Sequence, residues 1–236
     1  FAALRGDGRV ISWGPDSFGG NSTSVQHQLE DVHEIVASHR AFAARRGNGS
    51  VVTWGDTLLG GDCSMVQQHL HDVRCLRATY WAFAAIRNDG TVITWGDGVR
   101  GGDSSSVQEQ LKGVKDIHAT SGAFAAVLMD DTVVTWGDPD SGANSKHVQD
   151  ELHHIQQIAG NKGAFAALRM DGHVVTWGDP EYGGDSSEVQ DQLRHVQQVE
   201  ATDCAFAAVT GRGVVAWGLP PSGGDCRRIH KQMMNF

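Results

Sequence analysis

Long apolar runs are missing from this chain. No stretch approaches the roughly 20 residues that span a bilayer as a helix, so no transmembrane helix is expected. Basic residues are in deficit, 19 Lys and Arg against 28 Asp and Glu, which leaves a net charge of −9. The acids are scattered rather than blocked. Nucleic-acid binders usually carry a basic stripe, so nucleic acid is not an expected partner; Arg227, Arg228 and Lys231 form a local basic cluster near the C-terminus. Cysteine is scarce. Cys63, Cys75, Cys204 and Cys226 form no CxxC pair, and Cys63 and Cys226 occupy a repeat position where other copies have Ser. Free thiols in a reducing, intracellular setting are expected. No Met or signal-like segment precedes Phe1, so the sequence reads as trimmed or as part of something longer. Nucleophile elbow, phosphate loop, HExxH and paired-carboxylate patterns are all lacking. No enzyme activity, metal, cofactor or small-molecule substrate is therefore expected.

What the chain does have is a period. Ala164 to Gly178 holds two short apolar runs around Asp171-Gly172, the dipeptide that most strongly signals a tight β-hairpin. Its leading Phe recurs at Phe1, Phe42, Phe83, Phe124, Phe165 and Phe206, always 41 residues apart. Its closing Trp-Gly begins at Trp13, Trp54, Trp95, Trp136, Trp177 and Trp217. A fixed period of this length marks a repeat architecture. The whole chain, 1-236, therefore reads as one tandem-repeat domain, and its 30 glycines fit the many turns this needs.

Within one repeat, a loop follows Trp177-Gly178, then Gly183-Gly184-Asp185-Ser186-Ser187. Asp and Ser there suit a helix N-cap, and Ser187 with Gln190 has capping-box spacing. Val189, Leu193 and Val196 predict a short helix of about two turns, and Val196, Val199 and Ala201 lead into a strand before the next hairpin. Each unit is strand, hairpin, loop, short helix. Three strands cannot bury both faces alone, so neighbouring units must cover them. Val175 and Trp177 face one neighbour, Val174 and Thr176 the other. The fold class is all-β, a β-propeller of about six three-stranded blades, each with a short helix. Two copies vary the hairpin turn, Asp130-Asp131 in the fourth and a turn one residue shorter in the sixth, and neither should break it. Ile229 and Met233 repeat the helix stripe, and Phe236 falls where the next strand would begin. Six full units would exceed the chain by about one inner strand with its loop. The array is either cut from a seven-bladed or longer one or closes with an open seam.

Ala167-Leu168-Arg169-Met170-Asp171-Gly172-His173-Val174-Val175-Thr176-Trp177-Gly178 resembles the hallmark of the regulator of chromosome condensation repeat family, Ala-Leu-x-x-Asp-Gly-x-Val-x-x-Trp-Gly. The resemblance covers the chain in six copies and implies a β-propeller, commonly seven-bladed. It also implies guanine-nucleotide exchange or a ubiquitin-ligase accessory role as alternatives to simple binding. Here Ala-Phe replaces the family's His-Thr, and Gly-Gly-Asp replaces its Gly-Gln-Leu-Gly. The short repeat is closest in length to the bacterial β-lactamase inhibitory propeller, which works as a protein binder.

Copies within one chain can be compared with each other, and two windows disagree while the framework agrees. The first precedes the hairpin: His39-Arg40, Tyr80-Trp81, Ser121-Gly122, Lys162-Gly163 and Asp203-Cys204. The second follows Trp-Gly and holds Phe18, Leu58, Leu59, Arg100 and Tyr182. In an up-down-up blade both windows emerge at the same end. Loops on a rigid scaffold are where recognition tends to reside, and Tyr, Trp and Arg are common interface anchors. The reading is a non-catalytic module or scaffold that binds a protein partner there through His39, Arg40, Tyr80, Trp81, Lys162, Asp203, Phe18, Leu58, Leu59, Arg100 and Tyr182. Neutral drift of loop residues is the bland alternative, weakened by Trp81, the one Trp outside the framework. A structural subunit of a large assembly and an enzyme with an axial-funnel site using His39, Lys162 and Asp203 are the further alternatives. The framework tryptophans read as core rather than as a light-sensing cluster, and the repeated Asp residues as turn and helix caps rather than calcium ligands. His69, His71, His153 and His154 read as solvated surface rather than metal ligands.

Overall fold

Alternating β-branched and small residues around Asp-Gly turns build hairpins throughout. The computed structural model describes residues 1–226; the Ile229 and Met233 stripe, Phe236 and the Arg227, Arg228 and Lys231 cluster lie outside the described residues. The chain falls into two compact units, Phe1–Ile117 and His118–Phe236. The first unit opens with a two-stranded sheet, Ala2–Leu4 and Val10–Ser12. Two three-stranded sheets follow: Val32–Ala37, Ala41–Arg46, Val51–Gly55, then Val73–Ala78, Ala82–Arg87, Val92–Gly96. Val114–Ala119 lies at the boundary and belongs to the sheet of Ala123–Leu128 and Val133–Gly137. The second unit continues with Ile155–Gly160, Ala164–Arg169, Val174–Gly178, and Val196–Ala201, Ala205–Thr210, Gly213–Gly218. Each sheet is one blade, numbered here one to six. The first lacks its inner strand, as the repeat arithmetic predicts. The two unusual hairpins form: Asp131 takes the left-handed turn position at φ 63°, and Thr210 pairs with Gly213 across the short turn.

The fifth blade shows how both faces of a sheet are covered. Phe165 pairs with Trp177 and Ala167 with Val175. These four pack on one face against Ala123, Val127, Val133 and Leu152 of the fourth blade. Val174, Ala164, Ala166 and Leu168 pack on the other face with Leu193 of the blade's own closing turn and with Val196, Phe206 and Trp217 of the sixth. The middle strand runs through the most crowded part of the blade, which is why it is built from Ala. Trp177 is fully buried, stacked on Phe165 at 5.1 Å, and donates from Nε1 to the Gly142 carbonyl at 3.0 Å. Trp54, Trp95 and Trp217 donate likewise to Gly19, Gly60 and Gly183 of the preceding blade. Trp13, on the first blade, is 50% exposed.

The helix of two turns is not formed. After the glycine turn the chain makes one 3-10 turn, Gln190–Gln192, and Val196 already belongs to the strand. His195, at φ 55°, reverses the backbone and ends any helical path. Leu193 is still fully buried, so the apolar spacing reports packing of a turn rather than a helix face. The capping box is absent too: the turn has no side-chain cap. Gln190 instead accepts from Ser186 Oγ at 2.8 Å and donates to the Val174 carbonyl at 3.1 Å. Ser186 in turn meets Thr176 Oγ1 at 3.0 Å. Gln26, Gln67, Gln108 and Gln149 make the same clamp. At Cys63 the thiol takes the serine's place and donates to Gln67 at 2.9 Å.

Asp62, Asp103 and Asp185 each accept the backbone N–H two residues on, which holds their carboxyls below the ordinary value. Their contribution is complete above the unfolded carboxylate pKa and is lost as pH falls through the lower folded value.

The first glycine of the turn is needed for its backbone. Gly183 sits at φ 88°, and a Cβ there would lie 2.9 Å from the Phe206 ring and 3.1 Å from Trp217. Gly184 would press on the Gly178 carbonyl, yet the fourth blade carries Ala143 at that place and packs it into the core. Gly183→Ala is therefore expected to cost about 1–2 kcal/mol from backbone strain alone, and more with the crowding. Gly184→Ala should cost less. Equal melting temperatures for the two variants would contradict this.

Among the described residues all four cysteines are free. Burial pushes the Cys63 thiol up. Iodoacetamide at pH 8 should label the half-buried Cys204 well before Cys63, because the thiolate is the nucleophile; peptide mapping of partly labelled protein reads the order.

Candidate functional site

The two variable windows of each blade are tied together by a small polar residue just ahead of the first window. Ser38 Oγ donates to the Leu59 carbonyl at 3.0 Å, and Thr79 Oγ1 to that of Arg100 at 3.1 Å. In the second unit Thr120 reaches the Ser141 carbonyl at 2.8 Å, and Asn161 that of Tyr182 at 2.7 Å. Backbone bonds Asp56 to Arg40, Asp97 to Trp81 and Asp179 to Gly163 close the same junctions. Both windows thus lie at one end of each blade. The hairpin tips lie at the other end, where Gly49 and Gly172 accept from Val73 and Val196 of the following strand. Asp56, Asp97, Asp138 and Asp179 cap the second window by accepting N–H groups of the residues that follow.

In the first unit the windows bring side chains into two aromatic and cationic groups, which the chain joins at Tyr80-Trp81. Arg40 Cζ lies 4.9 Å from the Phe18 ring centre, and Arg100 Cζ 4.6 Å from that of Trp81. His39 joins them, its ring 5.9 Å from Phe18 and 6.0 Å from Tyr80. Its backbone N–H donates to the Tyr80 carbonyl at 2.9 Å. Phe18, Tyr80, His39 and Arg40 are exposed, Trp81 and Arg100 half-buried. Leu58 is 77% exposed, whereas its neighbour Leu59 is buried at 6% and has almost no surface to offer a partner. Val99, 69% exposed, stands in the same window as Arg100 and was not singled out from sequence because valine is also a framework residue here.

In the second unit the equivalent positions are quieter. Lys162 Nζ pairs with Asp203 Oδ2 at 2.8 Å. Ser121 Oγ donates to the Lys162 carbonyl, and the Lys162 N–H to the Asp203 carbonyl at 3.0 Å. Tyr182 is half-buried and packs on the core of the sixth blade. Of the acid-base groups considered for catalysis, Lys162 and Asp203 are engaged with each other, and His39 is held between aromatic rings. The recurring Ser38, Thr79, Thr120, Asn161 and Thr202 were legible as a small polar position, but their role in joining the windows was not.

The chain matches no protein-family model and no curated protein. Solved structures do match it. Prp20p of Saccharomyces cerevisiae, described with its binding to Gsp1p and histones, superposes with a TM-score of 0.56 at 18% identity, covering 92% of this chain and 69% of that one. Yeast RCC1 (Prp20) in complex with Kap60 gives 0.58 at 18% identity, covering 94% and 68%. The ectodomain of the receptor kinase CR4 from Physcomitrella patens gives 0.54 at 17% identity, covering 92% and 58%. No helix among the described residues is long and apolar enough to cross a membrane. Repeated hairpins with a closing Trp-Gly, blades that cover one another's faces and these structural neighbours together make the chain an RCC1-like repeat propeller in fold.

Proposed function

We propose that the chain is a non-catalytic protein-interaction module whose contacts are made at the loop end of its blades. One observation carries the reading. A framework held nearly invariant from copy to copy supports two windows that vary, and the structure brings those windows to the same end of each blade through Thr79, Thr120 and Asn161. The half-buried Trp81 under Arg100, beside the exposed Tyr80, is the arrangement of an anchor residue. Yeast Prp20p, of like fold, is a protein that binds proteins, which supports the class of function without naming a partner. Exchange activity on a small GTPase is the second reading, resting on that likeness alone.

The test pairs one variant at each end. Trp81→Ala should weaken capture of the chain's partners about tenfold or more. Met170→Ala, 59% exposed at a hairpin tip, should leave it unchanged. The reverse pattern would overturn the assignment of the loop end. A nucleotide-release assay with a purified small GTPase separates the second reading from the first.

A further inference from the structure

The loop end of the first unit is cationic and apolar at once, in a chain of net charge −9. Arg40 is exposed, lies over Phe18, and among the described residues its guanidinium meets no carboxylate. Arg100 lies over Trp81 and keeps a single carboxylate contact, to Asp97 Oδ2 at 3.3 Å. Two of the nearby acids are turned into the frame: Asp56 accepts the Leu58 N–H, and Asp97 those of Val99 and Arg100, while Asp16 beside Phe18 stays exposed. On the outside stand two guanidinium groups against the one carboxylate of Asp16, the rings of Tyr80, Phe18 and His39, and the aliphatic side chains of Leu58 and Val99.

An aromatic ring under each guanidinium holds it in place before any partner arrives, which lowers the ordering cost of binding. The guanidinium fork matches a carboxylate or a phosphate. The surroundings decide between them. Exposed Leu58 and Val99 need an apolar counterpart that a phosphate chain lacks. The second unit offers no equivalent, since Lys162 is already paired with Asp203 and its neighbours are Gly122 and Gly163. We infer that the loop end of the first unit takes an acidic protein segment, with carboxylates on Arg40 and Arg100 and an aliphatic or aromatic side chain resting among Leu58, Val99 and Tyr80. This rests on the protein-binding reading above and adds the chemistry of the partner and the unit that receives it.

The experiment pans a phage-displayed random 16-mer peptide library on the full chain and measures the most enriched peptide by calorimetry. The expected result is enrichment of Asp and Glu beside aliphatic residues. Affinity should fall about tenfold or more in Arg40→Ala and in Arg100→Ala, be unchanged in Met170→Ala at a hairpin tip, and weaken as salt rises. Thermal melts confirm that each variant is folded. Enrichment of neutral or basic peptides, or no enrichment over bare beads, overturns the inference. So does a single-stranded oligonucleotide that binds more tightly than the peptides through the same arginines. Loss of binding in Lys162→Ala but not in the arginine variants overturns this inference and leaves the loop-end reading standing. Acidic peptides indifferent to every loop variant overturn both.

Discussion

Trp177→Ala will lower the stability of the second unit by about 3–5 kcal/mol, the cost of emptying a buried aromatic site. The ring is fully buried, stacks on Phe165, and reaches across to the Gly142 carbonyl of the preceding blade. Truncation therefore opens a cavity between two blades and leaves a buried carbonyl unpaired at the same time. For a chain of this size that corresponds to a fall in melting temperature of at least roughly 6 °C. Trp13→Ala is the internal control. That Trp has the same place in its repeat but is half exposed, so its removal should cost well under half as much. Denaturant melts of both variants measure the pair. Equal losses would mean that the tryptophans act within their own hairpins and that contact between blades contributes little.

The second large effect is expected at Gln190. Among the described residues its side chain links the Val174 carbonyl to the Ser186 and Thr176 hydroxyls, all of them buried. Gln190→Leu removes the amide but keeps its bulk, so the loss is one of pairing rather than volume. The Val174 carbonyl is left unpaired, at about 1–3 kcal/mol, and the Ser186 hydroxyl keeps only Thr176. Adding Ser186→Ala to Gln190→Leu should cost less than the sum of the two single losses, because both substitutions break the same Ser186–Gln190 bond. A double mutant as unstable as the sum of the singles would refute the clamp. The Cys63 copy shows the tolerance of the arrangement: a thiol can replace the serine while the glutamine bond is kept.

Much of this was legible in the residues, and the reason is periodicity. Hairpin pairing such as Phe165 with Trp177 follows from the Asp-Gly turn and strand alternation, and the division of Val175 from Val174 between two neighbours follows from the pleat. The Val-Leu-Val spacing misled because a turn that buries its first and last residues imitates one face of a helix over so short a span. The backbone leaves helical geometry at Leu193 (φ −82°, ψ 57°) and reverses at left-handed His195, a path the apolar spacing does not encode. The capping-box spacing misled for a related reason: Gln190 seeks a serine, but it finds the side chain of Ser186 and not a helix end. Leu58 and Leu59 look alike as letters, and the turn sends one outward and the other into the core. The stacking of Arg40 on Phe18 joins residues from two different windows, so no single repeat contains the signal.

The tryptophan bond to a glycine one blade earlier always spans 34 or 35 residues. Within each unit, then, the joins run between wedges that are next to each other in the chain. Folding can spread along such an array as a relay of short loop closures. Duplicating or excising one whole period leaves every surviving join with the same mate, which gives such a chain a simple route to growing or shrinking by single wedges.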